Sequence, residues 1–187
     1  MPDIAIAPAT LADAAQIAAI YGHHVRHGTA SWEIEPPTVE EIAGRMGKVL
    51  GEGWPWLVAR GEDCGGDCDG GGDVLGYAYA AQYNPRAGYR FTCEDSIYLR
   101  HDVRGRGIGT ALLAALLYTC EAWGFRQMIA GIAGSEPASV ALHARAGFVE
   151  VARLRNVGRK QGQWLDVIYM QRALGLGDTA PPEEEPE

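Results

Sequence analysis

Residues 104–110 read Arg-Gly-Arg-Gly-Ile-Gly-Thr, and the chain changes character across them. Upstream, residues 91–100 (FTCEDSIYLR) carry the aromatic and β-branched groups of a strand. Downstream, from about 110 to 123, runs a strongly apolar stretch of helix formers. Glycines at a strand-to-helix junction let the backbone turn tightly and let a ligand approach it closely. The helix N-terminus adds unpaired N–H groups and a partial positive charge, which together make an anion site suited to a pyrophosphate. Arg104 and Arg106 place further positive charge beside it. A chain with such a unit at its middle needs a sheet to carry the strand, and so an α/β architecture. Two common phosphate loops are excluded: no Gly-Lys-Ser/Thr follows the glycines, and the G-x-G-x-G spacing in mid-chain differs from the G-x-G-x-x-G of a first βα unit.

The remaining segments fit around this unit. Residues 3–8 alternate like a first strand, and Thr10 opens a helix through Leu11, Ile17 and Ile20. Gly28, Pro36 and Pro37 mark 22–37 as a loop. Thr38 and Glu41 form a capping box for a second helix ending near Gly51 or Gly53. Strands are predicted at 54–60 and 74–82, at 126–133, and at 148–156 and 163–171; a helix is predicted over 136–146, stopping at Gly147. The order is βααββ, then strand–turn–helix, strand, helix, strand, strand. One mixed-sheet α/β domain over 1–174 is expected, which suits a chain of 187 residues.

Charge is unevenly distributed. The formal net charge is -8, from 24 acids and 16 bases. Residues 61–73 (GEDCGGDCDGGGD) and 173–187 together hold ten of those acids and no base, which leaves 14 acids against 16 bases elsewhere. The first segment reads as a flexible Gly/Asp-rich insert in a hairpin, and 175–187 as an acidic, disordered tail. The acidic total argues against nucleic acid or an anionic membrane as partner. No signal peptide and no run of ~20 apolar residues is readable, so a cytoplasmic location is expected. Cys64 and Cys68 fall short of a closed zinc site, so no metal is expected, and Cys93 and Cys120 read as ordinary buried thiols.

The form Arg-x-x-Gly-x-Gly at Arg104, Gly107 and Gly109 resembles the pyrophosphate loop of GCN5-related N-acetyltransferases (the GNAT superfamily), which bind acetyl-CoA. Three more stretches narrow the resemblance to the phosphinothricin and methionine sulfone/sulfoximine N-acetyltransferases: 18–36 (AAIYGHHVRHGTASWEIEP), 94–99 (EDSIYL) directly before the loop, and 157–166 (VGRKQGQWLD). It runs from about residue 3 to 173, outside the insert and the tail.

This resemblance implies a GNAT fold with a central β-turn-α unit for CoA. It implies direct transfer of an acetyl group from acetyl-CoA to the α-amine of a small amino-acid-like substrate, by a homodimer. Backbone groups of Ile97, Tyr98 and Leu99 are expected to pair with the pantetheine arm, and Arg104, Gly105, Arg106, Gly107, Ile108, Gly109 and Thr110 to hold the pyrophosphate. Glu94 is the expected general base and His143 the expected proton donor to the leaving thiolate. Arg86 is expected to bind the acceptor's anionic group, with Glu94, Asp95 and Ser96 completing the substrate pocket. Glu136 stands where the family has an asparagine that contacts CoA. The competing readings are a protein or peptide N-acetyltransferase and a non-catalytic acetyl-CoA sensor.

Overall fold

The computed structural model describes residues 4–61 and 72–182. These form seven strands and four helices: β1 (Ala5–Pro8), α1 (Ala14–His27), α2 (Val39–Gly51), β2 (Trp56–Arg60), β3 (Val74–Gln82), β4 (Thr92–Leu99), α3 (Ile108–Trp123), β5 (Gln127–Ala133), α4 (Pro137–Arg145), β6 (Val149–Lys160) and β7 (Gln163–Ala173). The strands make one sheet in the order β1-β2-β3-β4-β5-β7-β6. The pair β4–β5 is parallel and every other neighbouring pair is antiparallel. Among the described residues, no helix is long and apolar enough to cross a membrane.

Both faces of the sheet are covered, and strand alternation sends successive side chains to the two cores. Leu57, Ala59, Ala78, Ala80 and Cys93 pack on one face with Leu112, Leu113, Leu116, Leu117 and Cys120 of α3. Trp56, Val58 and Tyr77 pack on the other with Ile17 and Ile20 of α1 and Ile42, Met46 and Val49 of α2.

Helix α1 continues to His27, into the segment where a loop was expected from residue 22. An interior glycine costs a helix only about 1 kcal/mol. That cost is outweighed here because Gly22, His24 and Val25 lie on the buried face. The capping box of α2 forms as expected: the Thr38 amide donates to Glu41 Oε2 at 2.7 Å, and the Glu41 amide to Thr38 Oγ1 at 3.2 Å.

The segment after β7 is held at Arg126. Leu174 is buried, and its amide donates to the Arg126 carbonyl. The Arg126 guanidinium donates to the carbonyls of Gly177 and Pro181, both at 3.4 Å. Gly177 and Pro181 thus lie against Arg126. The rest of the predicted tail (183–187) and most of the insert (62–71, with Cys64 and Cys68) lie outside the described residues.

Candidate active site

The parallel pairing of β4 and β5 stops early. Thr92, Cys93 and Glu94 face Gln127, Met128 and Ile129, and there the register ends. Beyond it β4 pairs only with β3, from Asp95 opposite Ala80 to Leu99 opposite Gly76. Past Ile129, β5 pairs only with β7. Two strands that begin side by side therefore part, and each leaves a free edge. Free strand edges expose backbone donors and acceptors able to pair with an extended ligand.

A cavity of about 510 Å³ occupies this opening. Asp95, Ser96, Ile97, Tyr98 and Leu99 line one side, and Ala130, Gly131, Ile132 and Ala133 the other. Its far end is the glycine turn, through Arg104, Gly105, Gly107, Ile108, Gly109 and Thr110. Gly107 is the N-cap of α3 at φ +82°, a left-handed conformation that glycine adopts freely. The first amides of α3 have no partner within the helix and point toward this end. An extended thiol-tipped arm ending in a pyrophosphate fits these features: free strand edges for the arm, amides and a basic side chain for the phosphates. Of the residues predicted to hold the cofactor, only Arg106 is outside the lining; its side chain is exposed.

Several lining residues had no local sequence signal. His24 Nε2 lies 2.7 Å from the Leu99 carbonyl, to which it donates, and Arg145 brings a cation from the end of α4. Glu136, at the position of the expected asparagine, accepts from Thr29 Oγ1 at 3.0 Å, and the same Thr29 hydroxyl is 2.7 Å from Ser135 Oγ. The Glu136 carboxylate thereby ties the loop after α1 to the start of α4. These contacts join residues more than 100 positions apart, which no motif reports.

Glu94 and Asp95 were expected in one pocket, but they are on opposite faces of β4. Glu94 shares the α1/α2 face with Ser96 and Tyr98, opposite Ala81, Tyr79 and Tyr77 of β3. Its carboxylate reaches across to Gly131 of β5, where a Cβ would lie 3.0 Å from Glu94 Oε1 and 3.6 Å from Tyr169 Cε1. Only a residue without a side chain leaves this room. Gly131 also lines the cavity, so the carboxylate stands at the edge where the cavity meets the other face of the sheet. Burial, and then the charge of Asp95, push the Glu94 carboxyl above its ordinary value.

Asp95 points the other way, into the α3/α4 side, and is 7% exposed. Its Oδ2 is 3.1 Å from Nε2 of His143, which is itself 1% exposed. Asp95 therefore lines the cavity with Ser96 but from the face opposite Glu94, which is not among the lining residues. Burial pulls the His143 imidazole down, but the Asp95 carboxylate and the Ser139 carbonyl outweigh it, so the ring lies above its ordinary value.

Arg86 is exposed, preceding the short turn Ala87–Tyr89, and lines neither the cavity above nor the groove between α2 and β2–β3. The loop after α1 is held from the closing hairpin instead. Lys160 is buried and donates to the Ser31 carbonyl at 2.7 Å, and Trp32 packs on the backbone of Gly158.

Comparison with known proteins agrees with this geometry. Residues 26–148 match the family model described as "Acetyltransferase (GNAT) family". A phosphinothricin N-acetyltransferase of Alcaligenes faecalis is 48% identical over 172 residues, covering 91% of this chain and 83% of that protein. An L-methionine sulfoximine/L-methionine sulfone acetyltransferase of Pseudomonas paraeruginosa is 38% identical over 176 residues, 94% of this chain and 98% of that one. The crystal structure of a GNAT superfamily phosphinothricin acetyltransferase from Sinorhizobium meliloti, in complex with AcCoA, superposes with a TM-score of 0.91 at 44% identity, covering 97% of this chain and 94% of that one. With its family model, its relatives and its parted β4–β5 pair in agreement, the chain belongs to the GNAT acetyltransferase family and is an acetyl-CoA-dependent N-acetyltransferase.

Proposed function

We propose that the chain acetylates the α-amine of a small amino-acid-like acceptor of the phosphinothricin, methionine sulfoximine or methionine sulfone type, by direct transfer with Glu94 as general base. One observation carries the mechanism: the Glu94 carboxylate stands at Gly131, at the edge of the cavity between the parted strands, where a thioester held along β4 would meet an amine arriving from the other face. An amine is mostly protonated at neutral pH and must lose a proton to attack. A desolvated carboxylate with a raised pKa is the stronger base for that step.

The remaining roles follow the same geometry. The free edge of β4, at Ile97 and Leu99, pairs with the pantetheine arm, while the backbone of Tyr98 between them faces Tyr77 of β3. The amides from Gly105 to Thr110, with Arg104, hold the pyrophosphate. The N–H of Leu99, on the free edge, polarises the thioester carbonyl, and His143 is the acid that supports departure of the thiolate. Ser96, beside Glu94 on the acceptor face, shapes the acceptor pocket.

The experiment is release of CoA thiol from acetyl-CoA across a panel of amines. Turnover is expected with phosphinothricin, methionine sulfoximine or methionine sulfone, and little with peptide N-termini. Tight acetyl-CoA binding with no turnover on any amine would instead make the chain a sensor.

Arg86, reached by the acceptor from solvent, binds its anionic group in this proposal. A charge-assisted hydrogen bond contributes about 1.5–3 kcal/mol, so Arg86→Ala should raise the acceptor KM roughly 10- to 100-fold. The acetyl-CoA KM should hardly move, and an equal rise in both would contradict the assignment.

The proposal includes a homodimer. β6 is an edge strand, and Val149, Val151 and Val157, with Trp164 of β7, are between 53% and 62% exposed. An edge strand with exposed valines of this kind offers a surface for a second copy. Sedimentation of a monomer at micromolar concentration would remove this part of the reading.

A further inference from the structure

Both ring nitrogens of His143 are engaged inside the protein. Nδ1 lies 2.8 Å from the Ser139 carbonyl oxygen, one turn earlier in α4. A carbonyl only accepts, so Nδ1 carries a hydrogen. Nε2 lies 3.1 Å from Asp95 Oδ2, with both side chains 2% exposed. A carboxylate also only accepts. With that hydrogen given to the carbonyl, Nε2 needs a second hydrogen to donate to Asp95 Oδ2. The pair is then an imidazolium and a carboxylate with no net charge, and a neutral ring would leave one of its two contacts unmade. Asp95 Oδ1 is buried, has no hydrogen-bond partner among the described residues, and belongs to a side chain that lines the cavity.

We propose that Asp95 is the positioning residue of His143: it holds the imidazole doubly protonated and oriented at the base of the cavity between β4 and β5. The ring's surroundings make this assignment specific. Asp95 reaches it from β4. From α4 comes the Ser139 carbonyl, with the Ser139 hydroxyl 3.5 Å from Nδ1. The Phe148 ring stands edge-on at 5.1 Å. β5 has no titratable side chain, and α3 meets α4 where Gly109 approaches Leu142. Cys93 of β4 is neutral, because the neighbouring Cys120 and burial push its thiol up. Glu136 and Arg145 line the same cavity from the two ends of α4. Asp95 is thus the anion bonded to the ring, and the raised pKa of His143 agrees with that arrangement.

For catalysis the consequence rests on His143 as the acid of the proposed function. A doubly protonated ring presents positive charge where the thiolate develops, and no proton has to be recruited from solvent first. If the Nε2 proton passes to the sulfur, the S–H bond forms as the N–H bond breaks, and the ring is left neutral beside the Asp95 carboxylate. That state is unfavourable, so the ring draws a proton back from solvent and returns to its resting form.

The test uses the full-length protein with 13C-labelled histidine. The His143 Cε1–Hε1 signal is assigned by its loss in His143→Gln and followed from pH 5.5 to 9.5. In the wild type the midpoint should lie above the ordinary ~6.5. In Asp95→Asn it should fall below that value, because burial remains and the carboxylate is gone. The asparagine side chain of this variant can donate its amide N–H to Nε2 of a neutral ring, so the contact and the fold are expected to survive. A wild-type midpoint at or below the ordinary value overturns the proposal, whatever the variant does. An unchanged midpoint in a folded Asp95→Asn also overturns it, since a merely structural Asp95 would alter stability and not the titration.

Kinetics add a separate reading. Asp95→Asn should lower kcat about 100-fold, within the range of one acid–base group, with little change in the acetyl-CoA KM. The double variant Asp95→Asn/His143→Gln should lose no more than His143→Gln alone. Additive losses would show that Asp95 does not act through His143. Unchanged kcat in His143→Gln would remove His143 as the acid, while the ring titration would still decide what Asp95 does.

Discussion

Replacing Glu94 by Gln is expected to lower kcat/KM about 10²–10⁴-fold, the usual contribution of a positioned general base. Glutamine keeps the size and shape of the side chain beside Gly131 and loses only the ability to take a proton. Glu94 does not line the cavity between β4 and β5, so acetyl-CoA affinity should change little. The pH dependence has a definite sign. Burial and the charge of Asp95 raise the Glu94 carboxyl, and only its deprotonated form is a base. In the wild type kcat/KM should therefore rise with pH through a value above the ordinary ~4.3 and then level off; in Glu94→Gln that limb should be absent. The stability consequence runs the other way. A carboxyl whose folded pKa is raised stabilises the fold below its unfolded pKa, and that contribution is lost as pH rises through the folded pKa. At neutral pH the variant should then melt no lower than the wild type. An unchanged pH–rate profile in Glu94→Gln would exclude Glu94 as the base.

Gly107→Asp is expected to raise the acetyl-CoA KM about 100-fold while the protein stays folded, because a carboxylate at the head of α3 would meet the diphosphate at short range. Gly107 sits at φ +82°, where most side chains are strained, but Asp is among the few residues that visit this region. A Cβ there would have no heavy atom within 4 Å, so the new side chain has room. Asp is also a favourable N-cap, which offsets part of the backbone cost. The loss should shrink as salt is raised, since the Debye length is ~10 Å at 0.1 M. Gly107→Asn supplies the same shape without charge and should cost far less. Equal effects of Asp and Asn would mean that no phosphate charge is read at this turn.

The strand–turn–helix unit was legible because all of its information is local: three glycines, two arginines, one strand pattern and one apolar helix, all close together in the chain. The capping box of α2 was legible for the same reason. Asp95 shows where local reading stops. Its neighbour Glu94 was expected in the same pocket, yet a strand turns alternate side chains to opposite faces. The decisive partner, His143, comes from a helix 48 positions later. Helix α1 outran its expected end because burial of one face outweighed the glycine signal at 22. The contacts of Arg126 with Gly177 and Pro181 join residues 51 and 55 positions apart, beyond the reach of a local pattern.

By itself the sequence determined the α/β class, the glycine turn at 104–110, the family, and with it the use of acetyl-CoA. Each of these follows from short-range patterns whose physics is complete within one or two elements. Only the tertiary structure decided that β4 and β5 part after Glu94, that Gly131 leaves room for the Glu94 carboxylate at that opening, and that Asp95 is the buried partner of His143. These depend on register and on which face each side chain takes. Both are set by the packing of α1 and α2 on one side of the sheet and α3 and α4 on the other, between residues far apart in the chain.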